Sequence, residues 1–65
     1  MYAKYAELRD KKGVRDADVA RAINVSQAMF SEWKKDKYQP KVDKIIAIAE
    51  YFQVPLDVFI RKEDV

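Results

Sequence analysis

One glycine and two prolines are the strongest breakers in this chain, and the segments between them carry the three-to-four-residue apolar spacing of helices. From Tyr2 to Lys12, Tyr2, Tyr5, Ala6 and Leu8 stand among charges, and Gly13 follows as a C-terminal stop. Residues 16–23 bring Val19, Ala20 and Ile23 to one side. Asp16 and Asp18 lie in the first turn of that segment, where the helix dipole favours anions, and Asn24 tolerates the left-handed geometry that ends a helix. Ser26 offers a hydroxyl to the free amides of a third helix, 26–35. Residues 36–40 read as a loop, because the residue before Pro40 resists the α region. A fourth helix, 41–52, has a broad apolar face of Val42, Ile45, Ile46, Ile48, Ala49 and Phe52. Pro55 suits the first turn of a fifth helix, 55–60, and 61–65 read as a frayed tail. No strand-period alternation and no internal repeat occur. The expectation is an all-α, compact five-helix unit forming a single domain over 1–65.

Composition narrows what such a unit can do. With 65 residues there is room for one domain only, and a core this small leaves stability marginal unless something staples it. The chain has no cysteine and no histidine. Disulfides, thiolate metal sites, imidazole ligands and the common Ser-His-Asp and Cys-His nucleophile arrangements are therefore absent. Asp57, Glu63 and Asp64 do not converge at a metal-binding spacing. No apolar run approaches the roughly 18 residues of a membrane span, and no signal-peptide pattern opens the chain. The expectation is a cytosolic binder, not an enzyme, that needs no cofactor and no metal and has no membrane partner.

The formal charge of +2 conceals an uneven distribution: residues 1–33 carry +1, 34–44 carry +3 and 45–65 carry −2. Short lysine-rich stretches are commonly just solvated surface, so the middle segment gains meaning only from its neighbours. The neighbour is the third helix. At about 100° per residue from Gln27, the residues Gln27, Ala28, Ser31, Glu32 and Lys35 fall within one half of the wheel, and Met29, Phe30 and Trp33 fall in the other. Met29, Phe30 and Trp33 could form a stacking platform for single strands, but their shared apolar direction favours core packing. The opposite half is small and hydrogen-bonding. Gln can pair with adenine, Glu can accept from the cytosine amino group, and an alanine methyl can meet a thymine methyl. An ordinary amphipathic helix with a small polar outer face fits that half equally well. What tips the balance is the short junction Asn24-Val25-Ser26, which makes the second and third helices a helix-turn-helix. In that arrangement the second member enters the major groove, and the lysines of 34–44 follow where the phosphate backbone would lie.

The ordered set Leu8-Arg9, Lys12-Gly13-Val14, Val19-Ala20, Val25-Ser26, Phe30-Ser31-Glu32-Trp33-Lys34, Pro40, residues 45–52 and Val54-Pro55-Leu56 resembles the Xre family of helix-turn-helix regulators, which includes the lambda-type phage repressors and Cro. The likeness runs over nearly the whole chain and leans toward repressors of phages and mobile elements. It implies a lambda-repressor-like DNA-binding domain with its helix-turn-helix in helices 2 and 3, in a cytoplasmic, nucleoid-associated protein of bacterial or phage type. It implies base contacts from Gln27, Ala28, Ser31 and Glu32. It implies phosphate contacts from Arg15 and Asp16, from Lys35, Lys37 and Tyr38, and from Lys41. A dimer on a palindromic double-stranded operator is also implied.

The chain departs from the family pattern in several places. Asn24, Asp36 and Gln53 stand where the family usually has glycine. Asp16 replaces a phosphate-binding Gln. A carboxylate cannot donate that bond, so Asp16 reads as a helix-dipole charge, with Arg15 supplying the contact. Asp16 and Asp18 could also touch RNA polymerase, though the dipole accounts for both without a partner. Lys34 replaces a Glu that in relatives pairs with the Arg of the first helix, here Arg9, so that pair is not carried over. Arg9 is left to face solvent, an acid such as Glu32, or a phosphate. Residues 56–60 are apolar nearly all round, so Tyr51, Leu56, Val58 and Ile60 are the expected dimer surface, unless the short core needs them all. The resulting expectation is a sequence-specific transcriptional regulator, a repressor that acts by occupancy. An antitoxin or a protein-binding module that has kept the fold, engaging a regulatory partner protein, is the alternative.

Overall fold

The computed structural model describes residues 1–59. Four α-helices follow one another: α1 (Tyr2–Lys12), α2 (Asp16–Ile23), α3 (Gln27–Lys34) and α4 (Val42–Phe52). A 3₁₀ turn over Leu56–Phe59 succeeds them, and no strand occurs among the described residues. The element expected as a fifth helix over 55–60 is therefore this four-residue turn, and Ile60 lies outside the described residues, as does the tail 61–65. The Val58 amide donates to the Pro55 carbonyl at 3.2 Å, an i→i+3 bond that closes a tight 3₁₀ turn after proline.

Each junction is closed by local chemistry. Gly13 ends α1 at φ 77°, with its N–H donating to the carbonyls of Arg9 and Asp10. Asp18 Oδ2 accepts from the Arg15 N–H at 2.9 Å, which satisfies one amide at the head of α2. Asn24, Asp36 and Gln53 all adopt the left-handed conformation, at φ 61°, 61° and 57°. They serve as the turn residues that glycine would supply at lower steric cost. Asp36 is further held by Gln39, whose Nε2 donates to its Oδ1 at 3.0 Å.

The core is built on one aromatic stack. Tyr5 is fully buried, with its ring 4.6 Å from Phe30 and nearly parallel to it, 5.5 Å from Trp33 and 6.0 Å from Phe52. Aromatic pairs of this kind add about 0.5–1.5 kcal/mol each beyond the area they bury. Val19, Ala20, Met29, Ile45, Ile48, Ala49 and Phe59 complete the buried set. Two residues expected on the inner face of α4 are not there: Val42 is 68% exposed and Ile46 40% exposed. The helix buries the stripe centred on Ile45, Ile48 and Ala49 between α2 and the 3₁₀ turn. Val42 and Ile46 fall on the edge of that stripe, where none of the described elements covers them.

Gln53 is the left-handed position least suited to its residue, since it lacks the short polar side chain of Asn or Asp. Gln53→Gly should raise stability by about 0.5–1 kcal/mol, seen as a rise of several degrees in Tm by circular dichroism. A fall in Tm would contradict this reading of the turn.

Candidate nucleic-acid interface

The turn between α2 and α3 is fixed by two bonds. The Val25 N–H reaches back to the Ala20 carbonyl at 2.9 Å, and Ser26 Oγ accepts from the Ala28 N–H at 3.1 Å, which makes Ser26 the N-cap of α3. With Asn24 in the left-handed region, these three residues turn the chain and set α3 across α2. Met29, Phe30 and Trp33 are buried on its inner side. Gln27, Ala28, Ser31 and Glu32 are all exposed on its outer side, so the structure brings the four expected base-contacting residues onto one solvent-facing surface. Burial of Met29, Phe30 and Trp33 removes the stacking-platform reading.

Past Lys34 the chain carries Lys35, Lys37 and Lys41, all exposed, along the loop from α3 to the head of α4. Tyr38 is half-buried and packs its ring against the core. Arg15 is exposed at the N-cap of α2, the other helix end that the helix-turn-helix presents. The expected phosphate-contacting residues thus occupy the start of α2, the α3–α4 loop and the start of α4.

Asp16 has a role beyond the helix dipole. Its Oδ1 accepts from the Tyr5 hydroxyl at 2.6 Å and from Arg9 Nη1 at 3.0 Å. Arg9 also bonds the Tyr2 hydroxyl at 3.4 Å and the exposed Asp10 carboxylate at 3.0 Å. Of the three fates expected for Arg9, pairing with an acid is the one realised, but the acid is Asp16 and not Glu32. The reason is topological: Gly13 turns the head of α2 back onto α1, while Glu32 faces outward from α3. Burial and the bond to Asp16 hold the Tyr5 hydroxyl well above its ordinary pKa of 10.0. The same carboxylate, through its hydrogen bond, raises the Arg9 guanidinium above its usual value. Tyr5 stays a neutral donor and Arg9 a cation throughout the working pH range. The sequence did hold a signal for this pair. Lys34 removes the usual acid partner of Arg9, and Asp16 introduces a new acid at a position normally neutral.

The residues expected at a dimer surface do not form one patch. Tyr51 lines a hollow with Ala22, Ile23, Ala47 and Glu50, and the Lys12 ammonium lies 5.5 Å from its ring centroid. Leu56 instead borders an apolar hollow of about 110 Å³ with Met1, Pro40, Val42 and Ile45. On the α4 wheel, Tyr51 and Val42 lie about 180° apart, so the two hollows flank opposite sides of that helix. Val58 is half-buried, and Ile60 lies outside the described residues.

A helix-turn-helix with a polar outer face on its second member and cations around it defines a DNA-binding domain. The helix-turn-helix family model matches residues 6–59. The chain belongs to this Xre, lambda-repressor-like family, whose members are DNA-binding regulatory domains and typically non-enzymatic. No curated protein matches the chain, and no solved structure does. No helix among the described residues is long and apolar enough to cross a membrane.

Removing Asp16 tests the polar node. Asp16→Ala leaves the Tyr5 hydroxyl and the Arg9 guanidinium without their shared acceptor and should cost about 1–3 kcal/mol in urea unfolding. Asp16→Asn keeps an acceptor for Tyr5 and should cost less. Because the folded pKa of Tyr5 is raised, the contribution of its neutral hydroxyl is complete below about pH 10 and is lost as pH climbs beyond it. Unchanged stability in Asp16→Ala would show that the node contributes nothing.

Proposed function

We propose that this protein is a sequence-specific transcriptional repressor that binds a palindromic operator as a dimer, with α3 in the major groove, and blocks the promoter by occupancy. The observation that carries this reading is the division of α3. Its inner side chains are consumed by the core, while Gln27, Ala28, Ser31 and Glu32 are exposed and unneeded for folding. Side chains of those types can read base edges. Arg15, Lys35, Lys37 and Lys41 flank that face and would position the duplex through its phosphates, with the Tyr38 hydroxyl as a further donor. Asp16 takes no part in this, because Arg9 and Tyr5 occupy its carboxylate.

A two-fold operator requires two copies of the chain. The support for a dimer surface lies on the Leu56 side of α4, where Met1 and Val42 are large apolar side chains left exposed. Tyr51, on the opposite flank and covered by Lys12, is the weaker member of the expected set. The −2 of residues 45–65 keeps that end of the molecule away from phosphate.

The test is a salt titration on duplex DNA. About five phosphate contacts give a slope of log K against log[salt] near −4 to −5. Lys37→Ala should weaken all sequences alike and lower the slope by about 1, whereas Gln27→Ala should cost about 1–3 kcal/mol at one operator position and relax the preference there. Equal loss on specific and random DNA in Gln27→Ala would contradict the assignment of the reading face. Absence of binding to any duplex at low salt would favour a protein-binding module that has kept the fold.

A further inference from the structure

Tyr51 stands between two hollows for which DNA binding through α3 has no use. Ile23, Ala47 and Glu50 line the one it borders, and Leu8, Lys11, Lys12 and Phe52 line the other. The two make one surface, because the Tyr51 ring meets Phe52 edge-on, with centroids 4.9 Å apart, and lies 5.5 Å from the Lys12 ammonium. An exposed acid thus stands at one end, half-buried aromatic rings in the middle and two exposed cations at the other end. We infer that this surface is a second self-association face. Two copies of the chain meet on it about a two-fold axis near Tyr51, with Glu50 of each against Lys12 of the other and Lys11 beside that contact.

Charge complementarity selects the occupant. Among the described residues Lys11, Lys12 and Glu50 enter no side-chain hydrogen bond and no ion pair. Opposite charges therefore flank one aromatic patch without meeting inside the chain, since Tyr51 lies between them. A two-fold operation lays each end of the patch on the opposite end of its copy, so both charges find partners and every contact forms twice. The half-buried Leu8, Ile23, Tyr51 and Phe52 lose water in the same step, which favours the pairing. Duplex DNA is a poor occupant, because Glu50 would face its phosphates. The face lies on the opposite flank of α4 from Val42 and Leu56, so it is separate from the surface proposed for the operator dimer. It also shares no residue with the outer side of α3, and a chain held on DNA by α3 keeps it free. Pairing there would join one operator-bound dimer to another. That consequence rests on the DNA-binding reading, whereas the pairing itself does not.

The test is sedimentation equilibrium, without DNA, of the full chain carrying Val42→Glu, which charges the Leu56 side and removes contact there. Self-association should persist in this variant and weaken as salt is added. Lys12→Glu sets an acid against Glu50 at both contacts, and Glu50→Lys sets a cation against Lys12. Each change, added to Val42→Glu at an exposed position, should weaken self-association about ten-fold. An equimolar mixture of the two should associate again, because each supplies the charge that the other lacks. Circular dichroism checks that both keep their helices. A mixture that stays as dissociated as its components, or self-association that neither change weakens, would overturn the pairing of Glu50 with Lys12. A monomer at the highest soluble concentration would overturn the face as a whole and leave it to a different protein. None of these results bears on the DNA-binding reading, which duplex titration tests by itself.

Discussion

The Asp16 carboxylate, shared between the Tyr5 hydroxyl and the Arg9 guanidinium, is the contact on which the arrangement of this domain depends. It ties the head of α2 to α1 at two points of α1, one turn apart. Tyr5 then carries the constraint inward, because its ring lies on Phe30 of α3. One side chain therefore joins three helices, through its hydroxyl on one side and its face on the other. Among the described residues no buried side-chain polar atom is left without a partner, so this polar node sits against an aromatic core without a desolvation penalty left uncompensated.

That constraint determines what α3 has left to offer. Phe30 and Trp33 are held by Tyr5 and Met29 is buried with them, which fixes the rotation of the helix about its own axis. The opposite side is then exposed by geometry, and its short or hydrogen-bonding residues add nothing to the core. The lysines of 34–44 leave α3 at the same end, and pairing of Asp16 with Arg9 removes an acid from the charges a phosphate would meet. Charge placement of this kind matters more than the net +2, which is too small to steer the chain to DNA over long distances.

Much of this was legible in the residues. Helices α1 and α2 follow their apolar spacing and their stop residues, Gly13 and Asn24, and the division of α3 follows from its wheel. Other features depend on what packs against what, which spacing does not encode. Val42 and Ile46 continue the apolar pattern of α4 yet lie outside the stripe that α2 and the 3₁₀ turn can cover. Tyr51 and Leu56 look like neighbours in one apolar patch, but α4 separates them. The segment after Pro55 has a helical composition, yet Leu56–Phe59 forms a 3₁₀ turn. The Arg9–Asp16 pair required seeing that two departures from the family pattern compensate each other: Lys34 removes the usual acid partner of Arg9, and Asp16 supplies a new one across the Gly13 turn.

The central claim is that the side of α3 turned away from the Tyr5 stack is the surface that meets DNA. The most direct measurement is a nuclear magnetic resonance map of shift changes as a selected operator duplex is added to the labelled full chain. The account predicts that the changes centre on Gln27, Ala28, Ser31 and Glu32 and extend to Arg15, Lys35, Lys37 and Lys41. Changes centred on Lys11, Lys12 and Tyr51, with the outer face of α3 unaffected, would contradict it.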